Sequence, residues 1–160
     1  LLCSVAPEGP GPLPLAWAFT ASSTLDSMLG YRTGRLQWLG TAGARLDDLL
    51  TWLPCRLVML SLPLVSRPWN QWPRLVRAAE RDGSSDPSPN AGRSEAIYAH
   101  CIGICLGGDN RYGDRIVHKP VLAAGSPQAS PSAVKDVLSA TTRLETIWIA
   151  GLILSLLKLA

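Results

Sequence analysis

The run Asp86-Pro87-Ser88-Pro89-Asn90-Ala91-Gly92 leaves the backbone fewer choices than any other stretch of the chain. Both prolines fix φ, and Asn90 and Gly92 tolerate positive φ, so a tightly shaped turn is expected. From about Ser94 a helix is expected, with Glu95 in the first turn that favours acids. Ala96, Ala99 and Gly103 give that helix a small-residue side suited to close approach by a neighbour. It is expected to stop before Gly107-Gly108, a pair that favours a turn and leaves backbone N–H groups accessible. A rigid polar loop, a helix N-terminus and a second glycine turn make a cradle suited to an anion such as phosphate. The same residues also read as a proline-rich connector, a helix and its C-cap, and composition alone favours that reading.

The order of residues is more specific than their types. Pro87-Ser88-Pro89-Asn90-Ala91-Gly92, Glu95-Ala96, Leu106-Gly107-Gly108, Asn110, Tyr112-Gly113 and Lys119-Pro120 follow one another at set distances. A second block precedes them: Thr24-Leu25-Asp26-Ser27-Met28-Leu29-Gly30-Tyr31-Arg32, then Ala44-Arg45-Leu46-Asp47-Asp48-Leu49-Leu50. Together they resemble the signature of the CbiB/CobD family, the membrane-bound adenosylcobinamide-phosphate synthases of cobalamin biosynthesis. The resemblance runs from Ser23 to Lys119. It departs at Thr20 and Ser23, where the family often has a basic residue and an asparagine, and at His100, a position usually small.

The resemblance implies ATP-dependent amide formation between adenosylcobyric acid and aminopropanol phosphate or ethanolamine phosphate. It implies Asp26, Asp47 and Asp48 as catalytic acids, with Asp26 and Asp47 holding Mg²⁺, and Glu95 as a base. Arg32, Arg45, Arg81 and Lys119 would bind phosphates. Ser88, Asn90, Asn110 and the Gly107 and Gly108 amides would bind the aminoalcohol phosphate or the nucleotide. Other cobalamin-assembly enzymes are implied partners. The competing reading is a non-catalytic membrane binding or scaffold subunit of a cobalamin-assembly complex.

Composition supports a membrane setting: 47% of residues are hydrophobic and only 17% charged. The fold class expected is mainly α, a helical integral membrane protein with cytoplasmic loops carrying the motifs, in the bacterial inner membrane and multi-pass in its parent. A net charge of +3, with basic residues scattered through loops, does not argue for nucleic acid. The cysteines Cys3, Cys55, Cys101 and Cys105 show no disulfide framework. The chain does not begin with methionine and reads as a fragment whose N-terminal membrane half lies elsewhere.

Taken in order, residues 1–22 read as a linker and an incoming apolar segment, with 1–14 too rich in Gly and Pro for a regular helix. Ser22-Ser23-Thr24 reads as a helix-capping run, and Asp47-Asp48 as the start of a long apolar helix. The motif-bearing region, 23–120, contains a segment at 49–65 expected to be interfacial or re-entrant and bent at Pro54 and Pro63. Arg67 to Arg81, with Trp69 and Trp72, reads as a cytoplasmic membrane interface. Asp114 to His118 reads as a short strand, 121–132 as a loop, and 133–160 as a C-terminal membrane helix starting near Pro131. His100, Cys101, Cys105 and His118 lack zinc-site spacing, and small buried helix packing is the better reading.

Overall fold

The computed structural model describes residues 12–29, 37–67 and 69–159. The chain divides into two compact units: Leu1–Leu53 with Gly151–Ala160, and Pro54–Ala150.

The first unit holds helix α1 (Pro12–Leu29), the opening turns of α2 (Gln37–Ser66) and the last turns of α5 (Pro131–Leu159). α1 starts at Pro12 and runs through Pro14, which corrects the expectation of no regular helix over 1–14 for its last three residues; residues 1–11 lie outside the described residues. The first turn of a helix makes no use of its own N–H groups, so prolines there cost little. Ser22-Ser23-Thr24 is not a cap either; it lies mid-helix. The Thr24 hydroxyl and its neighbours Thr20 and Ser27 turn back onto the preceding turn, Thr20 to the Ala16 carbonyl, Thr24 to Thr20 and Ser27 to Ser23. α2 begins ten residues before Asp47, so Asp47 and Asp48 stand almost three turns inside the helix and not at its start.

α2 passes through Pro54 and Pro63 as one helix. Each proline removes a backbone donor and loosens the turn before it. Beside that turn, three residues before Pro63, the Leu60 carbonyl accepts from the Trp72 indole N–H at 2.7 Å. Two helical stretches, Gly40–Ser66 and Pro131–Lys158, are long and apolar enough to cross a membrane by length and composition.

The second unit is built on a helical hairpin. α2 ends at Ser66, a 3-10 turn covers Trp69–Gln71, and α3 (Trp72–Gly83) leads through the proline loop into α4 (Ala91–Ile102). α3 buries Leu75, Ala79 and Gly83, and α4 buries Gly92, Ala96 and Ala99. Repeats of four and three bring small residues onto one face of each helix, so the two backbones meet. The small side expected for α4 is therefore present. A Cβ on Gly83 would stand 2.5 Å from the Arg93 Cα, and one on Gly92 would stand 2.6 Å from the Gly83 carbonyl oxygen. Around this contact lie Cys55, Met59, Leu62, Ile97, Cys101, Leu122, Ala140 and Leu144.

α4 begins at Ala91, not Ser94, and Glu95 falls in its second turn. It ends at Gly103, whose φ of 80° makes the left-handed cap, four residues before the pair expected to stop it. Gly107 and Gly108 are not a turn but part of strand β1 (Leu106–Tyr112), paired antiparallel with β2 (Arg115–Leu122). The register slips between Leu106 and Gly108, where both glycines have positive φ. The turn falls at Gly113-Asp114, with φ +61° at the first residue, where type II′ hairpins place glycine. The strand expected at Asp114–His118 is thus the first half of a longer β2. A Cβ on Gly107 would lie 1.9 Å from the Pro120 carbonyl oxygen, whereas one on Gly108 would meet nothing. Gly107→Ala is expected to break the register near Leu106–Leu122 and Gly108→Ala only to strain it, read as a larger rise in amide hydrogen exchange in the first variant.

Candidate functional site

The proline loop is held by its own side chains. Asp86 accepts the Ser88 N–H at 2.8 Å, and the Ser88 hydroxyl accepts the N–H groups of Asn90 and Ala91 at 3.3 and 3.2 Å. This pins the entry of α4, with Asn90 as its N-cap residue. Asn90 is buried, and its side-chain oxygen accepts from Arg56 at 2.9 Å. The same Arg56 nitrogen reaches the Pro89 carbonyl at 3.2 Å, and Arg93 reaches that carbonyl at 2.9 Å. The Cys55 thiol donates to the Asn90 carbonyl and accepts from Ser94. A cation from α2 thus satisfies the loop's buried acceptors, as a lone arginine inside an apolar helix requires.

Arg93 is further locked by Glu80 of α3, with contacts of 2.6 to 2.9 Å. The Arg93 hydrogen bonds hold the Glu80 carboxyl below its ordinary value, and Glu80 in turn raises the Arg93 guanidinium. A second carboxylate, Asp82, accepts from three sides: His100 at 2.8 Å, the Ala123 N–H at 3.1 Å and Arg81 at 3.0 Å. Burial pushes Asp82 up, but these bonds outweigh it and hold the carboxyl below its ordinary value. Cys101 is buried in the hairpin core, and burial pushes its thiol up to about 12.

One turn into α4, Glu95 faces β2: its carboxylate lies 3.6 Å from the Lys119 ammonium, both groups partly exposed. Glu95 also borders an apolar groove of about 420 Å³ shared with Tyr98, Leu106, Val134 and Val137. The Tyr98 hydroxyl is tied to Thr141 of α5 at 2.8 Å. On the hairpin, Asn110 donates to the Gly108 carbonyl, and His118 bonds Asp109.

In the first unit, α1 and α2 come together at Gly43, where an added Cβ would lie 3.7 Å from the Asp26 backbone nitrogen. The Ser23 hydroxyl donates to Asp47, which lies within reach of the charges of Asp26 and Asp48. Ser22 is buried, and its hydroxyl has no hydrogen-bond partner among the described residues. Ser22 and Asp26 stand one turn apart on α1. No group of three or more His, Cys, Asp and Glu side chains is arranged for a metal among the described residues. Asp26 and Asp47 are hard oxygen donors of the kind Mg²⁺ takes one or two of, leaving its other positions to water and substrate phosphates.

The family model described as CobD/Cbib protein matches residues 4–141. This chain belongs to the CobD/CbiB family. It is 46% identical over 147 residues to "Cobalamin biosynthesis protein CobD" of Synechocystis sp., covering 91% of this chain and 41% of that protein. It is 39% identical over 143 residues to "Cobalamin biosynthesis protein CbiB" of Salmonella paratyphi A, covering 88% of this chain and 43% of the relative. A CobD of Yersinia enterocolitica matches at 44% over 114 residues, 69% of this chain and 35% of its own length. The chain therefore spans less than half of these relatives. No solved structure matches it.

Within this CobD/CbiB chain, the expected site residues fall into separate groups. Ser88 and Asn90 share the proline loop, and Glu95 meets Lys119. Gly107, Gly108 and Asn110 lie together on β1. Arg81 sits against Asp82, which bonds His100, and His100 is about 140° around α4 from Glu95. Asp26 and Asp47 are neighbours in the first unit, and Arg45 is exposed there. Arg32 lies outside the described residues. Sequence reasoning missed Arg56, Glu80, Asp82 and Arg93. Arg56 had a signal, a single cation deep in an apolar run; the others lacked one.

Proposed function

We propose that this chain forms the C-terminal part of an adenosylcobinamide-phosphate synthase, which joins adenosylcobyric acid to an aminoalcohol phosphate at the expense of ATP. The observation that carries the reading is the family match across residues 4–141, with the motif residues Glu95 and Lys119 held face to face beside an open groove.

The chemistry asks for three services. A carboxylate oxygen of the corrinoid takes the terminal phosphoryl of ATP, releasing ADP, and the amine then attacks the acyl carbon as phosphate leaves. Glu95 takes the proton that the amine sheds on attack. Lys119 faces the charge on the departing phosphate. Asp26 and Asp47, with Ser22 close by on α1, would hold Mg²⁺, which when bound offsets the negative charge of the phosphates.

The membrane forms part of this reading. α5 crosses the bilayer, and the motif loops face the cytoplasm, where ATP is. α2 lies along the interface, since Arg56, in its middle, bonds the polar proline loop. Its exposed Leu57, Leu60 and Leu64 then face lipid.

The test is complementation of a bacterium lacking its own synthase, with this chain fused to a family N-terminal half. Corrinoid-dependent growth is expected from the fusion and not from the chain alone. Glu95→Gln in the fusion is expected to lower corrinoid-dependent ATP turnover by about a hundredfold or more. Unchanged turnover in Glu95→Gln and Lys119→Ala would remove this pair from the reaction. Rescue by neither form, with the protein stably in the membrane, would favour a binding subunit.

A further inference from the structure

We propose that a second site, a cleft floored by arginines on α3, binds a phosphate-bearing polyanion. Arg74, Arg77 and Arg81 recur at intervals of three and four and share one exposed face of α3. They extend along about 10 Å of helix. Arg67 joins them from the end of α2, its guanidinium fixed by the Cys101 and Ile102 carbonyls at the C-terminal end of α4. The opposite wall is His100 and the loop that carries Ser126, and the enclosed space is about 800 Å³.

An arginine-rich helix face is ordinarily a solvated convex surface. This one is the floor of a concavity, and the charge of Arg74 and Arg77 is not cancelled. Asp82, the carboxylate at its edge, is committed to His100, Ala123 and Arg81. Among the described residues, Arg74 and Arg77 pair with no carboxylate. The loop wall is held in place as well. Ala123 is buried with φ +52°, a conformation costly for a side-chain-bearing residue, and its N–H is anchored on Asp82. Cations strung over several ångströms suit a chain of phosphates better than one carboxylate or one phosphate. A nucleoside triphosphate and neighbouring anionic lipid headgroups both offer that chemistry. The inference rests on the cleft alone, so tripolyphosphate binding stands whether or not the amide-forming reaction does.

The experiment titrates inorganic tripolyphosphate into the chain in zwitterionic micelles, for the wild type and for Arg74→Gln with Arg77→Gln. In parallel, both proteins are sedimented with phosphatidylcholine vesicles with and without phosphatidylglycerol. At least a tenfold weakening of tripolyphosphate binding in the double variant is expected. That result with unchanged vesicle binding assigns a soluble polyphosphate. Phosphatidylglycerol-dependent binding that the variant loses, without tripolyphosphate binding, assigns headgroups. Ala124→Trp, which fills the cleft from its far wall and removes no charge, is expected to weaken the same interaction. A wild type indifferent to both anions, or variants that keep wild-type binding, overturns the proposal.

Discussion

Gly92→Ala is expected to destabilise the second unit by about 3 kcal/mol or more, the upper end of what overpacking costs. The new methyl would stand 2.3 Å from the Asp86 Cβ and 2.6 Å from the Gly83 carbonyl oxygen. Neither obstacle is the free end of a flexible side chain, so α3 and α4 must separate. Separation would pull Arg93 away from Glu80, and would open the packing over Ala79, Ala96 and Ala99. Gly83→Ala is expected to do the same through the Arg93 Cα at 2.5 Å. Gly151→Ala serves as the control: nothing lies within 4 Å of its added carbon, and a helical alanine gains about 1 kcal/mol over glycine. Urea unfolding in detergent, followed by tryptophan fluorescence, separates these outcomes. Gly92→Ala and Gly151→Ala unfolding at the same midpoint would contradict the backbone contact.

Asp82→Ala is expected to cost about 3 kcal/mol, because one carboxylate serves three donors and its loss leaves a buried one unmatched. The Ala123 N–H cannot turn to water without releasing the strained backbone that carries it. The carboxylate also makes stability depend on pH. Its folded pKa is lowered, so the unfolded chain binds the proton more readily. The contribution is complete above the ordinary Asp value of about 3.9 and is lost as pH falls through the lower folded value. Glu80 acts in the same direction through Arg93. Urea midpoints measured between neutral pH and about pH 3 should therefore fall less steeply in Asp82→Asn than in the parent. Equal slopes would mean that His100, Ala123 and Arg81 do not hold the charged form.

The sequence disclosed the helix after the proline loop and its small face, because alanine and glycine at helical intervals permit one kind of packing. It did not disclose which glycines turn. Gly107-Gly108 has the composition of a turn, yet the choice of Gly113 depends on pairing between β1 and β2, which no local pattern encodes. Proline misled at the start of α1. Pro12 and Pro14 fall where a helix needs no donors, while Pro54 and Pro63 lie within one long helix, α2. Asp26 and Asp47 were legible as motif residues; their meeting depends on α1 approaching α2 at Gly43. Asp82 and Glu80 could not be found in advance, since their partners other than Arg81 lie 13 to 41 residues away. The proline loop is the sharpest case. Ser88 and Asn90 looked like ligand-binding groups, and the structure uses them first to fasten α4.

The buried cysteines have a practical side. Cys55, Cys101 and Cys105 are all free and enclosed, and Cys101 in particular has almost no thiolate at neutral pH. Once Cys3 is replaced by serine, a cysteine introduced at Trp38 or Ile116, both exposed and outside the two apolar spans, becomes the chain's fastest thiol to alkylate. Charged maleimides, which do not pass the bilayer, can then map which face of the membrane each segment meets, with the native core thiols left in place.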